Sequence, residues 1–428
     1  MFLKSLSLQN YRGYAQLNIN FDPQYSILVG VNGSGKSSVL DAVATALGSY
    51  ISGFDGISSN SITKEDSHRK MYELGSRIDA EEQYPVRITA TCDIDGNEIH
   101  WSRSLHGKEG KTHIREAKAI MKYGSDLQQK VREGDQTILL PVIAYYGTGR
   151  LYMPKKSKRN GLEDVRFTRT SGYIDCLNSS SNDKLMMQWF EQMTGIQIQE
   201  NKMVPELEVV KRAMAKCFSG TGYPDREADF EYKIKSHEIE ITYNSETGKE
   251  KLPMKMLSDG LKSTISMVAD IAYRMAVLNP QLLDKTLEET SGIVLIDEVD
   301  MHLHPEWQRR IVNDLHYIFP KVQFVMTTHS PSILVNVKKE HILLLEGHQV
   351  HEPGNTTYGR DVSAILQEIM KTEVRPQEVI HLKDQFYRAL SEENYDFAKN
   401  LLEVLEHTLG KNDADVTQAK ISLDLELL

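Results

Sequence analysis

The 428-residue sequence predicts an α/β fold: a mainly parallel sheet flanked by helices, joined by an antiparallel β layer. Three observations carry this. Short, continuously apolar runs at Ser26-Ile27-Leu28-Val29, 292–297 (GIVLID) and 322–328 (VQFVMTT) have the look of strands covered on both faces, as parallel strands are. Helical spacing follows the first run and separates the other two, which makes 292–328 a βαβ unit with a helix at Trp307–Ile318. Strict alternation appears elsewhere, the mark of half-buried antiparallel strands.

Along the chain, Leu6 and Leu8 alternate with Ser5 and Ser7, and Leu17, Ile19 and Phe21 repeat the pattern, giving two paired N-terminal strands. Val39, Leu40, Val43 and Leu47 form a helical stripe. Residues 85–101 read as a hairpin around Asp95-Gly96, a pair that tolerates positive φ. Ile138 to Tyr146 is a further buried strand, and Asn178–Asn182 a polar loop. Helical patterns occupy 184–193 and 204–217, and alternation returns at 230–243. Leu261, Ile265, Val268, Ala272 and Met275 form one helical face after Ser258-Asp259-Gly260, and 377–428 is helical and acidic. The expected organisation is a first lobe at 1–150, a helical insertion at 151–229, a second lobe at 230–360 and a C-terminal helical region at 361–428.

Composition narrows the class. With 40% hydrophobic and 26% charged residues the chain is globular, and 60 acidic against 50 basic residues argue against coating nucleic acid with the whole surface. Cys92, Cys176 and Cys217 are too few and too scattered for a disulfide framework or a zinc knuckle. The N-terminus lacks the apolar core of a signal peptide, and no apolar run approaches the ~18 residues of a membrane span. A cytoplasmic protein with no membrane partner is expected. Locally the charge is uneven: Arg150, Lys155, Lys156, Lys158, Arg159, Arg166 and Arg169 crowd 150–169 against Glu163 and Asp164, while nine acids face three lysines after 391.

Four motifs carry chemistry. Gly30-Val31-Asn32-Gly33-Ser34-Gly35-Lys36-Ser37-Ser38, between a buried strand and a helix, is a phosphate-binding loop. Glycines let N–H groups curl toward an anion, Lys36 reaches the β/γ phosphates and Ser37 holds Mg²⁺. Ile293–Glu298 sets Asp297 at a strand tip for the same Mg²⁺ and Glu298 to orient or deprotonate the attacking water. Leu257-Ser258-Asp259-Gly260 opens a helix as a second anion seat. Two seats are useful when they act on different molecules, as in a symmetric dimer where Ser258 and Gly260 close on the other subunit's nucleotide. His329, in Thr327-Thr328-His329-Ser330-Pro331, can contact the γ-phosphate one strand after Asp297.

The order of these motifs resembles the ABC-type ATPases, and within them the soluble branch with SMC- and RecF-like heads. The segments Asp297–Pro305, Tyr145–Arg150 and Tyr358–Val362 are similar to OLD-type and related AAA-family ATPases of bacterial defence, most of all those of Septu anti-phage systems. The resemblance implies an ATPase head using ATP and Mg²⁺. Its ATP-binding set would be Asn32, Gly33, Gly35, Lys36, Ser37 and Ser38, with Arg12 of Asn10-Tyr11-Arg12-Gly13 reaching the nucleotide. It also implies head-to-head self-association and a separate HNH-type nuclease partner, with DNA as a further possible contact. Transport-type members carry LSGGQ; here Asp259 and Leu261 stand at the third and fifth positions, and His304 takes the usual aspartate place after the acidic pair. The alternatives are a RecF/SMC-like repair clamp on DNA and a nucleotide sensor that turns over little.

Overall fold

Apolar runs become the central sheet because each is sandwiched between helices and must hide both faces. The computed structural model describes residues 1–75, 77–151, 167–179, 183–220, 227–245 and 248–427. It divides into two units, Met1–Arg360 and Asp361–Leu428.

The first unit begins with β1 (Phe2–Tyr11) and β2 (Tyr14–Asn20), an antiparallel pair in register Leu6↔Ile19 and Leu8↔Leu17, which puts the alternating leucines on one buried face. Next come β3 (Tyr25–Val29), every residue buried, and α1 (Lys36–Ile51). Then follow β4 (His68–Leu74) and β5 (Arg77–Gln83), a separate two-stranded ribbon absent from the periodicity reading. Strands β6 (Val86–Ile94) and β7 (Asn97–Leu105) are the expected hairpin, turning at Asp95 (φ 55°) and Gly96 (φ 83°). The antiparallel layer is ordered β2-β1-β6-β7.

Helix α2 (Lys118–Arg132) leads to β8 (Val142–Tyr146), which starts four residues later than its apolar run. The basic stretch at 150–169 and the polar loop after Asn178 lie largely in 152–166 and 180–182, outside the described residues. Arg169 is described, and it staples the chain by donating to the Leu278 carbonyl at 2.8 Å and the Ile138 carbonyl at 2.5 Å. Segment 176–179 runs along β8, with Tyr145 N–H on the Cys176 carbonyl and Gly147 N–H on the Ser179 carbonyl. Helices α3 (Asp183–Glu200) and α4 (Pro205–Ser219) stand where helical patterns were read, and α4 packs on the next helix in the same unit.

Strands β9 (Ala228–Lys233), β10 (Glu238–Ser245) and β11 (Gly248–Pro253) make a small antiparallel sheet. Helix α5 (Asp259–Leu278) follows. Its sequence reads as one apolar face, but nearly every residue from Thr264 onward is buried, because neighbours cover it on several sides. Short α6 (Thr286–Glu289) precedes β12 (Gly292–Ile296), α7 (Pro305–Ile318) and β13 (Val322–Thr328), a parallel βαβ unit. After α8 (Pro331–Leu334) come β14 (Ile342–Glu346) and β15 (Gln349–His351). The central sheet is ordered β15-β14-β3-β13-β12-β8, parallel except for β15. Its order makes β3, β12 and β13 neighbours, so their carboxyl ends deliver the motif residues to one place.

The second unit holds α9 (Val362–Glu368), α10 (Gln377–Ser391), α11 (Tyr395–Leu409) and α12 (Ala414–Glu426). Its last three helices enclose Phe386, Leu401, Leu405, Val416 and Leu423, and Arg375 pairs with Asp413 and Asp415.

Candidate nucleotide site

After β3 the chain turns through Gly33 (φ 81°) and Gly35 (φ 92°), left-handed conformations that side chains resist. At Gly35 a Cβ would also lie 2.3 Å from the Tyr14 hydroxyl, which itself donates to the Ser34 carbonyl at 2.7 Å. Helix α1 starts immediately, with no side-chain cap and no acid in its first turn. Its first N–H groups therefore point, unpartnered within the helix, into a positive pole suited to phosphate. Asn32, Gly33 and Ser37 are exposed, Gly35 and Ser38 half-buried. Lys36 is 6% exposed, and its Nζ donates to the Gly30 and Val31 carbonyls at 2.9 and 3.1 Å. Burial lowers its pKa, while Asp297, Glu298 and Asp300 act in the opposite direction.

Those three carboxylates come from the turn after β12. The Asp297 N–H bonds the Tyr146 carbonyl at 2.8 Å, and the Thr327 hydroxyl donates to Asp297 Oδ1 at 2.6 Å. The same Thr327 oxygen accepts the Glu298 N–H at 2.7 Å, and Thr328 donates to Asp300 at 2.6 Å. Glu298 sits at φ 47°, a conformation a non-glycine residue adopts at a cost, held by these bonds from β13. His329 is half-buried directly after Thr328. His304 caps α7, its Nδ1 accepting from the Glu306 N–H at 3.4 Å.

Arg12, expected at the nucleotide, is tied to carboxylates. Its Nη1 meets Asp41 Oδ2 at 2.5 Å and its Nε meets Asp66 Oδ1 at 2.8 Å, while Tyr145 donates to the other oxygen of Asp41 at 2.8 Å. Ser258 caps α5 without a side-chain bond and is exposed, as is Asp259, which pairs with Lys262 at 2.7 Å. Gly260 is buried, and a Cβ there would lie 2.2 Å from the His302 carbonyl oxygen. Its need for glycine is a close approach to the turn that carries Glu298.

The arrangement joins a loop suited to an anion, a buried lysine and a cluster of oxygen donors at adjoining strand ends. A family model described as an AAA domain matches residues 5–221, and a second, described as "AAA domain, putative AbiEii toxin, Type IV TA system", matches 191–336. The chain belongs to the AAA-domain family. This AAA-family chain is 25% identical to the Retron Vc95 probable ATPase of Vibrio cholerae serotype O1 biovar El Tor, over 87% of this chain and 80% of the relative. It is 23% identical to the Septu protein PtuA of Bacillus thuringiensis, over 92% and 90% of the two chains, which bears out the expected likeness to Septu ATPases. A crystal structure of an SMC head bound to the C-winged helix domain of ScpA aligns with a TM-score of 0.49 and 16% identity, over 82% of this chain and 97% of that one.

Several residues that shape the AAA-family site carried no role in the sequence reading. Thr327 orients both Asp297 and Glu298, and only the hydroxyls before His329 hinted at it. Tyr14 walls the loop from a neighbouring strand, and no local spacing announces it. Behind the site, the Tyr146 hydroxyl donates to Asp270 at 2.7 Å, and Arg274 holds the same carboxylate at 2.7 Å while donating to the Gly172 and Ile174 carbonyls. An i,i+4 Asp–Arg pair inside an apolar helix was the available signal. Among the described residues no helix is long and apolar enough to cross a membrane.

Proposed function

We propose that this protein binds ATP with Mg²⁺ and hydrolyses it as an ABC-type head, two copies closing on the nucleotides, and that the cycle governs a separate nuclease in an anti-phage system. The single observation that carries the reading is that β3, β13 and β12 lie side by side and parallel, so the loop of Lys36 and the turn of Asp297 and Glu298 leave adjoining strand ends. Lys36 exchanges the Gly30 and Val31 carbonyls for β/γ-phosphate oxygens. Ser37 and Asp297 offer a hydroxyl and a carboxylate, the hard oxygen donors that suit Mg²⁺. Glu298 takes the proton of the attacking water, held in place through its own N–H on Thr327. His329 contacts the γ-phosphate, and Arg12 leaves Asp41 to reach the nucleotide. Ser258 and Gly260 close on the other copy's nucleotide.

The defence role is supported by the names of the relatives, retron and Septu proteins, aligned over most of both chains. An HNH-type nuclease subunit and a cytoplasmic location belong to the same reading. Phosphate release by the purified chain, with Glu298→Gln as control, tests hydrolysis. Equal release by both proteins removes Glu298 from its role. Mass measurement with and without ATP, alone and with the product of the adjacent gene, tests assembly. If the chain alone retains duplex DNA in an ATP-dependent, salt-sensitive way, the repair-clamp reading replaces this one.

A further inference from the structure

The ribbon β4–β5 pairs with no other strand among the described residues. A lone two-stranded ribbon is marginal in water, and its free edges invite another strand. This one also displays apolar side chains: Met71 is 68% and Ile78 73% exposed. Met71, paired with Ala80, and Ile78, paired with Glu73, lie on one face, while Tyr72 lies on the other with Lys70, whose ammonium stands 5.4 Å from the Tyr72 ring.

We propose that the ribbon is an assembly arm on which β4 pairs antiparallel with β4 of a second copy of this chain. A two-fold axis normal to the ribbon keeps each face on its own side, so opposed residues share parity. Centred on Met71, it sets Met71 against its own mate, Arg69 against the mate's Glu73 and Lys70 against the mate's Tyr72. Every charged side chain of β4 then meets an opposite charge or an aromatic ring, and each Met71 is covered by its mate. The other edge does not do this: centring β5 on Ala80 opposes Asp79 with the mate's Glu81, two like charges. The sequence of β4 is thus self-complementary where that of β5 is self-repelling.

The root of the arm is fastened to Arg12. Arg12 N–H bonds the Asp66 carbonyl and His68 Nδ1 donates to the Arg12 carbonyl, both at 2.7 Å, and Tyr11 bridges to Ser67. A contact between copies made by the arm is therefore linked by main chain to a residue of the candidate nucleotide site.

All three native cysteines are buried, so one added thiol reports cleanly. In the full-length chain without nucleotide, Met71→Cys under a mild oxidant should give a band of twice the chain mass. Asp79→Cys, also exposed but on β5, should stay monomeric. Adding Glu73→Arg to Met71→Cys opposes two arginines and should cut the cross-linked yield at least fivefold, with nucleotide affinity kept within twofold. No doubled band from Met71→Cys, equal cross-linking from Asp79→Cys, no loss with Glu73→Arg, or cross-linking only to a different polypeptide overturns the proposal. Because no step uses ATP, failure of the arm and failure of the ATPase reading give separate signals.

Discussion

Two serine- and glycine-containing segments precede long helices in this chain, and they use glycine for opposite reasons. In the loop before α1, Gly33 and Gly35 lie at positive φ, and around Gly33 there is open space. In the first turn of α5, Gly260 has an ordinary backbone but is pressed against the His302 carbonyl. The first seat is furnished within one chain, with a buried lysine and carboxylates beside it. The second presents an exposed Ser258 and its own Asp259–Lys262 pair, and is rooted in the turn that carries Glu298. A phosphate needs more than the second seat offers alone, which is the physical reason for proposing that it acts on a nucleotide held by another copy.

The largest effects should fall on the first seat. Lys36→Ala is expected to remove detectable ATP binding in equilibrium titration, and Glu298→Gln to lower turnover by about 10²-fold or more while binding persists. Retained binding in the lysine variant would place the phosphates elsewhere. Next comes the scaffold behind both seats. Arg274→Met leaves Asp270 buried beside Tyr146 without its cation and should cost about 3–5 kcal/mol in denaturant unfolding. A loss under 1 kcal/mol would mean that the pair is not the tie between β8 and α5. The two glycines give a matched test: Gly260→Ala should destabilise by about 1–3 kcal/mol through overpacking. Gly33→Ala should cost about 1 kcal/mol through backbone strain alone. The reverse order would mean that Gly260 has room for a methyl group and that Gly33 does not tolerate one. Smallest in stability is Ser258→Ala, within ~0.5 kcal/mol of the parent because the side chain makes no capping bond. If the seat acts between copies, the same variant slows phosphate release. Unchanged release would make Ser258 a simple helix start.

What the sequence made legible was whatever is written locally. Ser26–Val29, 292–297 and 322–328 announce their strands by unbroken apolarity, and Lys36, Asp297 and Glu298 follow from position at the ends of those strands. The ribbon β4–β5 escaped because its apolar residues are few and exposed, so burial imposes no alternation. The breadth of burial on α5 escaped because it depends on neighbours distant in the chain. Arg12 shows a third limit. A resemblance supplies a destination for its side chain, but the carboxylates that hold it, Asp41 and Asp66, lie 29 and 54 residues away and leave no trace in spacing.

The covering of β8 by residues 176–179 has a further consequence. A six-stranded sheet with a bare, wholly apolar border strand would be a template for fibrillar growth. Here Tyr145 and Gly147 already spend their N–H groups on Cys176 and Ser179, and the opposite border is the three-residue β15. Uncontrolled polymerisation through the main sheet is thereby blunted at both margins.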